Sequence, residues 1–235
     1  MIITALDFDN STKALEFVEL IDPSLTRVKV GKELFTLAGP VLIEQLQQRG
    51  FDVFLDLKFH DIPNTVAGAL KAAASLGVWM VNVHASGGPR MLDAARSAVP
   101  VAQGNAGTRL IAVTVLTSMD HKELGSIGVS NSPQQQVQKL ATMTAEHGLD
   151  GVVCSAQEVA EIKKCTPEHF LTVTPGVRPA SNDVKGDDQK RTMTPVEAVL
   201  AGSSYLVVGR PITQAVNPRQ TLVDMNQAVE QAIKK

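Results

Sequence analysis

The sequence has few cysteines and no long apolar segment, and each shortage excludes a class of protein. The two cysteines, Cys154 and Cys165, form neither a CxxC motif nor a metal-ligand spacing, so we expect free thiols in a reducing compartment and no disulfide framework. No apolar run approaches the roughly 18 residues that a transmembrane helix needs. The N-terminal segment MIITALDFD lacks the basic start of a signal peptide. We therefore expect a cytoplasmic protein that does not enter a membrane.

The chain also lacks an excess of positive charge. Its 22 Lys and Arg residues stand against 24 Asp and Glu residues, which gives a net charge of −2. Nothing in this balance would attract a nucleic acid backbone or an anionic membrane surface. We predict neither partner, and an anionic substrate would have to be bound by a local group of cations.

One pattern recurs along the whole chain, a short β-branched apolar run followed by an amphipathic helical segment. The runs begin near residues 2, 26, 52, 79, 109, 151, 171 and 205. Nearly continuous apolar runs are typical of strands that are buried on both faces. Eight such units with no Pro/Gly-rich linker between them predict an α/β fold, a (β/α)8 TIM barrel that forms a single catalytic domain over residues 1–235.

Helix start signals between the runs agree with this fold. Ser155 with Glu158 and Thr194 with Glu197 have the spacing of capping boxes, and Ser132 precedes a proline that can open a helix.

The active sites of TIM barrels lie at the C-terminal ends of the strands. Polar residues end many of the predicted strands here, namely Asp7, Lys29, Asp56, Lys58, Asn82, His84, Thr117 and Arg210. Any one of them could be only a loop or capping residue. Asp56 and Lys58 are more informative, because side chains two residues apart on a strand point to the same side. We expect these charges to pair in the barrel mouth with Lys29 and Asp7, since unpaired buried charge is costly. A purely structural ring of ion pairs is the alternative.

A phosphate-binding signal follows the last two strands. Gly176 and Gly209 permit close backbone approach, Arg178 and Arg210 supply positive charge, and the ends of strands seven and eight are the usual phosphate site of this fold. Residues 178–191 between them are polar and fit either a solvated connector or a lid that closes over a phosphate through Gln189.

The motifs together resemble those of the orotidine 5′-phosphate decarboxylases. They are DLKFHDIPNT with its DxKxxD pattern, ALD at Asp7, KVG at Lys29, TPGVRP at Arg178 and VGRPIT at Arg210. The resemblance covers nearly the whole chain, whereas DxKxxD alone also occurs in 3-keto-L-gulonate 6-phosphate decarboxylases. It implies decarboxylation of orotidine 5′-monophosphate to UMP and CO2, the last step of de novo UMP synthesis, with no cofactor and no metal.

The resemblance also implies a role for each matching residue. Lys58 would stabilise and protonate the C6 carbanion, with Asp56, Asp61 and Lys29 completing the catalytic group. The substrate would contact the residues Asp7, Lys29, Ile62, Thr65, Thr117, Arg178, Gln189, Gly209 and Arg210. Asp61, Ile62 and Thr65 would reach the site of the partner subunit, so that the protein would act as a homodimer. By position alone, Asp61 would be a helix cap.

Two other functions fit parts of the sequence. In a metal-dependent barrel acting on a sugar phosphate, Asp56 and Asp61 would help to bind Mg²⁺, although Lys58 between them would repel the ion. A non-catalytic phosphate-binding barrel would have no need of the charged strand ends. The role of His84 stays open between a residue of the mouth and a structural histidine.

Overall fold

Eight parallel strands follow one another around a closed barrel in chain order. The computed structural model describes residues 1–102, 107–178 and 193–234. Within them the strands are β1 (Ile2–Ala5), β2 (Arg27–Gly31), β3 (Val53–Phe59), β4 (Met80–His84), β5 (Arg109–Val113), β6 (Gly151–Val153), β7 (Leu171–Thr174) and β8 (Tyr205–Val208). Pairing of β1 with β8 closes the barrel, so the predicted TIM barrel is confirmed.

Helices alternate with the strands in the described residues. They are α1 (Ser11–Val18), α2 (Lys32–Gln48), α3 (Pro63–Ser75), α4 (Pro89–Ala98), α5 (His121–Ser126), α6 (Pro133–Glu146), α7 (Val159–Cys165), α8 (Pro195–Leu200), α9 (Arg210–Thr213) and α10 (Pro218–Ile233). In the described part of the chain, none is both long and apolar enough to cross a membrane.

The expected start signals are present where these helices begin. Ser132 and Thr194 form complete capping boxes at α6 and α8, and Ser155 forms one at a short 3-10 turn before α7. Each box satisfies backbone N–H groups that a helix start leaves without an intrahelical acceptor.

Side chains of the strands divide between two apolar layers. Val53 and Leu55 of β3 lie in the large layer between barrel and helices, whereas Phe54 lies in a smaller cluster inside the barrel. This alternation is the period of two expected for a strand that is buried on both faces.

Regular alternation ends within β3. Its pairing with β4 shifts register between Leu55 and Phe59, and Lys58 has a φ of 53°, a positive value found at no other non-glycine residue described. This left-handed conformation is unfavourable for a lysine. The sequence predicted that Lys58 would simply continue the pleat, and the structure instead places it at an irregularity that re-aims its side chain.

Aromatic and arginine side chains close the N-terminal end of the barrel. The Arg27 guanidinium lies 4.5 Å from the centroid of the Trp79 ring. The Trp79 and Tyr205 rings meet edge to face, with centroids 5.0 Å apart. Trp79 is only 6% exposed and is therefore a core residue.

Candidate active site

A cavity of about 700 Å³ opens at the C-terminal ends of the strands. Most of the predicted site residues line it, namely Asp7, Lys29, Asp56, Lys58, Thr117, Arg178, Gly209 and Arg210. They come from distant parts of the chain and meet here because a closed parallel barrel brings all its strand ends to one rim.

Four of these side chains form an alternating row of charges. Lys29 Nζ lies 3.1 Å from Asp7 Oδ1 and 3.5 Å from Asp56 Oδ2. Lys58 Nζ donates to Asp56 Oδ1 at 2.6 Å. The Lys29 and Asp56 side chains are only 12% and 11% exposed, whereas that of Asp7 is 68% exposed. The row thus runs from solvent into the barrel, and Asp56 has an ammonium group on each of its oxygens.

This arrangement keeps the buried members charged. Burial alone would raise the pKa of Asp56, but the charges of Lys29 and Lys58 and the hydrogen bonds to the carboxylate outweigh it and hold the pKa below its usual value. Burial alone would likewise lower the pKa of Lys29, but Asp56 and Asp7 reverse this effect and raise it. Asp56 and Lys29 are therefore both charged at neutral pH.

Asn82 of β4 forms hydrogen bonds with two residues of the row, Asp56 and Lys58. Its side-chain amide donates to Asp56 Oδ1 at 2.7 Å and accepts the backbone N–H of Lys58 at 2.8 Å. Asn82 is completely buried.

The part of the cavity formed by residues that follow β7 and β8 has the features of an anion site. Gly209 packs closely against β1, since a Cβ at this position would be in van der Waals contact with Ala5 Cβ and Asp7 Oδ2, each 3.5 Å away. Helix α9 begins at Arg210, directly after Gly209. Arg178 and Gly176 lie on the same wall. Backbone N–H groups at a helix start and guanidinium groups are typical phosphate ligands.

Three predicted residues do not reach this cavity within one chain. Asp61, Ile62 and Thr65 are exposed and are not among the described residues that line it. Asp61 Oδ1 accepts the backbone N–H of Ile62. Ile62, not Asp61, is the N-cap of α3, and it makes no side-chain capping bond, so the capping role of Asp61 is wrong. Gln189 lies outside the described residues.

Comparisons with known proteins agree with this geometry. The model of the family "Orotidine 5'-phosphate decarboxylase / HUMPS" matches residues 1–225. The chain is 58% identical over 225 residues to the orotidine 5'-phosphate decarboxylase of Aliivibrio fischeri strain MJ11. The aligned residues make up 96% of this chain and 95% of that one. It is 55% identical over 231 residues to the Escherichia coli O139:H28 protein of the same name, covering 98% and 93% of the two chains.

A solved structure supports the same relationship. The orotidine 5'-phosphate decarboxylase of Lactobacillus acidophilus superposes with a TM-score of 0.84 at 38% identity, covering 97% of this chain and 98% of that one. The chain belongs to the orotidine 5′-phosphate decarboxylase/HUMPS family. The resemblance inferred from the motifs is thus confirmed, and the protein is a carboxy-lyase.

The orotidine 5′-phosphate decarboxylase fold also places residues that sequence reasoning left out of the site. Ser118, Pro175, Thr213 and Gln214 line the cavity. Thr213 lies within the VGRPIT motif and Ser118 directly follows Thr117, so proximity to predicted residues was the available signal. Asn82 stood at a predicted strand end, but nothing in the sequence indicated its two hydrogen-bond partners.

His84 is the last residue of β4, and it is not among the described residues that line the cavity. Its ring centroid is 5.5 Å from that of His60. Burial, and then the positive charges of His60, Lys32 and Lys58, lower the pKa of His84 to about 4. In this surrounding the imidazole is neutral at neutral pH.

Proposed function

We propose that the protein decarboxylates orotidine 5′-monophosphate to UMP and CO2, the last step of de novo UMP synthesis, without a metal or cofactor. One catalytic domain over residues 1–235 would carry the reaction. The observation that carries the proposal is the Lys58 ammonium, which is fixed against Asp56 at 2.6 Å in a cavity of the size of a nucleotide site. The identity of the substrate is inferred from the family relationship.

The chemistry calls for a cation at one carbon atom. Loss of CO2 breaks the bond between C6 and the carboxyl carbon and leaves the electron pair on C6, which has no adjacent carbonyl to delocalise it. An ammonium at C6 stabilises this charge as it develops. Lys58 then transfers its proton to C6 and is reprotonated from solvent, so that it acts as the general acid.

Asp56 has two parts in this scheme. Its hydrogen bond orients the Lys58 ammonium, which is the larger effect. Its negative charge also lies close to where the substrate carboxylate would bind and disfavours that bound state, a smaller effect that is relieved as CO2 leaves.

The remaining residues bind the parts of the substrate that do not react. Asp7 and Lys29 would contact the ribose hydroxyls, and Thr117 the pyrimidine edge. Gln189, Gly209 and Arg210 would bind the phosphate, with Arg178 nearby. Because the phosphate is remote from C6, its binding energy can organise the charged row without touching the reacting atoms.

The site would be completed by a second copy of the chain. Asp61, Ile62 and Thr65 follow the end of β3 and are exposed in one chain, with Ile62 67% exposed, so they are accessible to a partner subunit. We propose that these residues enter the partner's cavity in a homodimer. The partner's carboxylate would extend the alternating row beyond Lys58.

The side chains of the site are poorly suited to bind a metal ion. Both oxygens of Asp56 already face ammonium groups. Among the described residues, no group of three or more His, Cys, Asp or Glu side chains could hold an ion.

The direct test follows the absorbance of orotidine 5′-monophosphate with purified protein in the presence of EDTA, since orotate and uracil chromophores differ. We expect the orotate band to disappear with the wild type. Lys58→Ala should lower kcat by about 10⁴-fold or more, because it removes both the cation and the acid. Lys13→Ala is the matched control, since Lys13 forms only an exposed ion pair with Asp9, and it should retain wild-type activity.

An unchanged orotate band with the wild type would refute the proposal at the level of substrate. Activity that is lost only in EDTA would instead support a metal-dependent reaction.

A further inference from the structure

We infer that Asn82 is a positioning residue for decarboxylation, an inference that rests on the proposed function: its buried amide fixes the Asp56 carboxylate and the left-handed Lys58 backbone together, so that the ammonium points at the reacting carbon. Asn82 lies outside the residues described as lining the cavity and is completely buried. It therefore acts through Asp56 and Lys58 and not on the substrate.

The two hydrogen bonds require an amide at this position. The Lys58 N–H can only donate, so the atom of Asn82 that faces it must be the oxygen. The charged Asp56 carboxylate can only accept, so the atom that faces it must be the –NH2 group. One side chain thus meets two opposite demands, and an ionised carboxylate or an apolar side chain of similar size can meet one or neither.

The Lys58 backbone explains why such a support is needed. A φ of 53° is unfavourable for lysine and persists only where neighbouring groups hold it. The strand bulge has disturbed the regular pairing between β3 and β4 at this point. Asn82, on β4, replaces the lost pairing with a side-chain acceptor for the Lys58 N–H. The same bond therefore holds the conformation that aims the Lys58 side chain.

Asp56 is the second group that Asn82 fixes. Its Oδ1 accepts from both Lys58 Nζ at 2.6 Å and Asn82 at 2.7 Å. Without the amide the carboxylate could rotate toward Lys29, which lies 3.5 Å from Oδ2. Rotation would draw the Lys58 ammonium away from its working position, and a displacement of about 1 Å is enough to cost two orders of magnitude in rate.

The first variant is Asn82→Leu, which keeps the branched arrangement of four heavy atoms and removes both hydrogen bonds. We expect kcat to fall about 10- to 100-fold, as the loss of a hydrogen bond to a charged group would give. KM should stay within about threefold, since the phosphate and ribose contacts are untouched. Asn226→Leu is the matched control, because Asn226 of α10 also donates twice, to the Leu25 and Leu222 carbonyl oxygens, far from the cavity. It should lower the melting temperature and leave kcat unchanged.

The second variant, Asn82→Asp, is isosteric and decides the question even if Asn82→Leu fails to fold. It keeps the acceptor for the Lys58 N–H but places a second carboxylate oxygen against Asp56 Oδ1. Two such carboxylates share a proton as the pH falls, and the protonated form restores a donor to Asp56. We expect kcat of Asn82→Asp to be low at pH 8 and to rise as the pH is lowered toward 5, a profile that the wild type does not have.

These outcomes separate the inference from the proposed function. If the wild type does not decarboxylate orotidine 5′-monophosphate, the proposed function fails. If the wild type is active and Asn82→Asp has the wild-type kcat and pH profile, the positioning role is overturned while the proposed function stands. A loss in Asn82→Leu that lies in KM with kcat unchanged would also overturn it.

Discussion

The two ends of the barrel surround positive charge in different ways, and strand β2 supplies a cation to each. At the N-terminal end, Arg27 lies on the rings of Trp79 and Tyr205 and pairs with Asp52 at the surface. At the C-terminal end, Lys29 lies between the carboxylates of Asp7 and Asp56. The residues are two apart and point to the same side of the strand.

The difference lies in what surrounds each cation. The Arg27 guanidinium lies 4.5 Å from the centroid of the Trp79 ring and 5.5 Å from that of Tyr205, so cation–π contacts with protein side chains occupy it. The Lys29 ammonium borders an open cavity, and the row that it belongs to ends in Lys58, the proposed general acid. The contacts described for Arg27 all come from the same chain, whereas the C-terminal end is proposed to need a ligand and a partner subunit.

After the loss of Lys58, the largest effect should come from removing the partner's contribution to the C-terminal end. Asp61→Ala should lower kcat about 10²- to 10³-fold, because the row of charges then lacks its last member. In an equal mixture of Asp61→Ala and Lys58→Ala subunits, exchange should restore activity to about a quarter of the wild-type level. Half of the dimers are then hybrids, and each hybrid carries one intact site out of two.

The control for this experiment is each variant subunit incubated alone under the same conditions of exchange. Neither should recover activity. If Asp61→Ala is as active as the wild type, or if the mixture stays inactive although hybrids form, the site is complete in one chain and the proposed sharing is wrong.

The sequence was sufficient for the barrel and for most of the cavity because both depend on periodic patterns. The apolar runs identified the strands, and the rule that strand ends face one rim brought Asp7, Lys29, Asp56 and Lys58 together. That rule needs no knowledge of contacts between strands.

The support beneath the row could not be predicted in the same way. Asn82 acquires its role only because β3 bulges at Lys58 and shifts register against β4. Apolar and polar residues alternate regularly around Lys58, so the sequence gives no sign of a bulge there. The cap assigned to Asp61 failed for a related reason, because α3 begins at Pro63 and takes Ile62 as its N-cap.

Substitutions of the two cations of β2 should have a smaller effect on activity and should distinguish the two ends of the barrel. Lys29→Met should lower kcat/KM about 10²-fold, because it removes a charge that orients Asp56 and contacts the substrate. Arg27→Met should leave kcat and KM within about twofold and reduce the free energy of unfolding by about 1–2 kcal/mol, since it loses the contact with Trp79. Steady-state kinetics and urea unfolding of the two variants measure both quantities.

Each of these variants is the control for the other. They replace a cation by the same unbranched apolar side chain on the same strand. A comparable loss of activity in Arg27→Met would show that the N-terminal end is coupled to the site, and the contrast between the ends would not hold.

The smallest effect should come from His84, which makes the C-terminal end sensitive to pH. The pKa of His84 is about 4 in the folded protein and near 6.5 in the unfolded chain. Between these pH values the imidazole is protonated in the unfolded chain and neutral in the folded one. Folding stability contributed by neutral His84 is therefore complete above about pH 6.5 and is lost progressively down to about pH 4.

Urea unfolding of the wild type and of His84→Gln at pH 7 and pH 4.5 measures this loss. Since the ring is partly exposed to solvent, we expect the wild type to lose about 1–2 kcal/mol more than the variant across this range. His121→Gln, at the exposed start of α5, should behave as the wild type does. Equal pH dependence in the wild type and His84→Gln would mean that the imidazole is as readily protonated in the folded chain as in the unfolded one, and that the C-terminal end carries no titrating group of this kind.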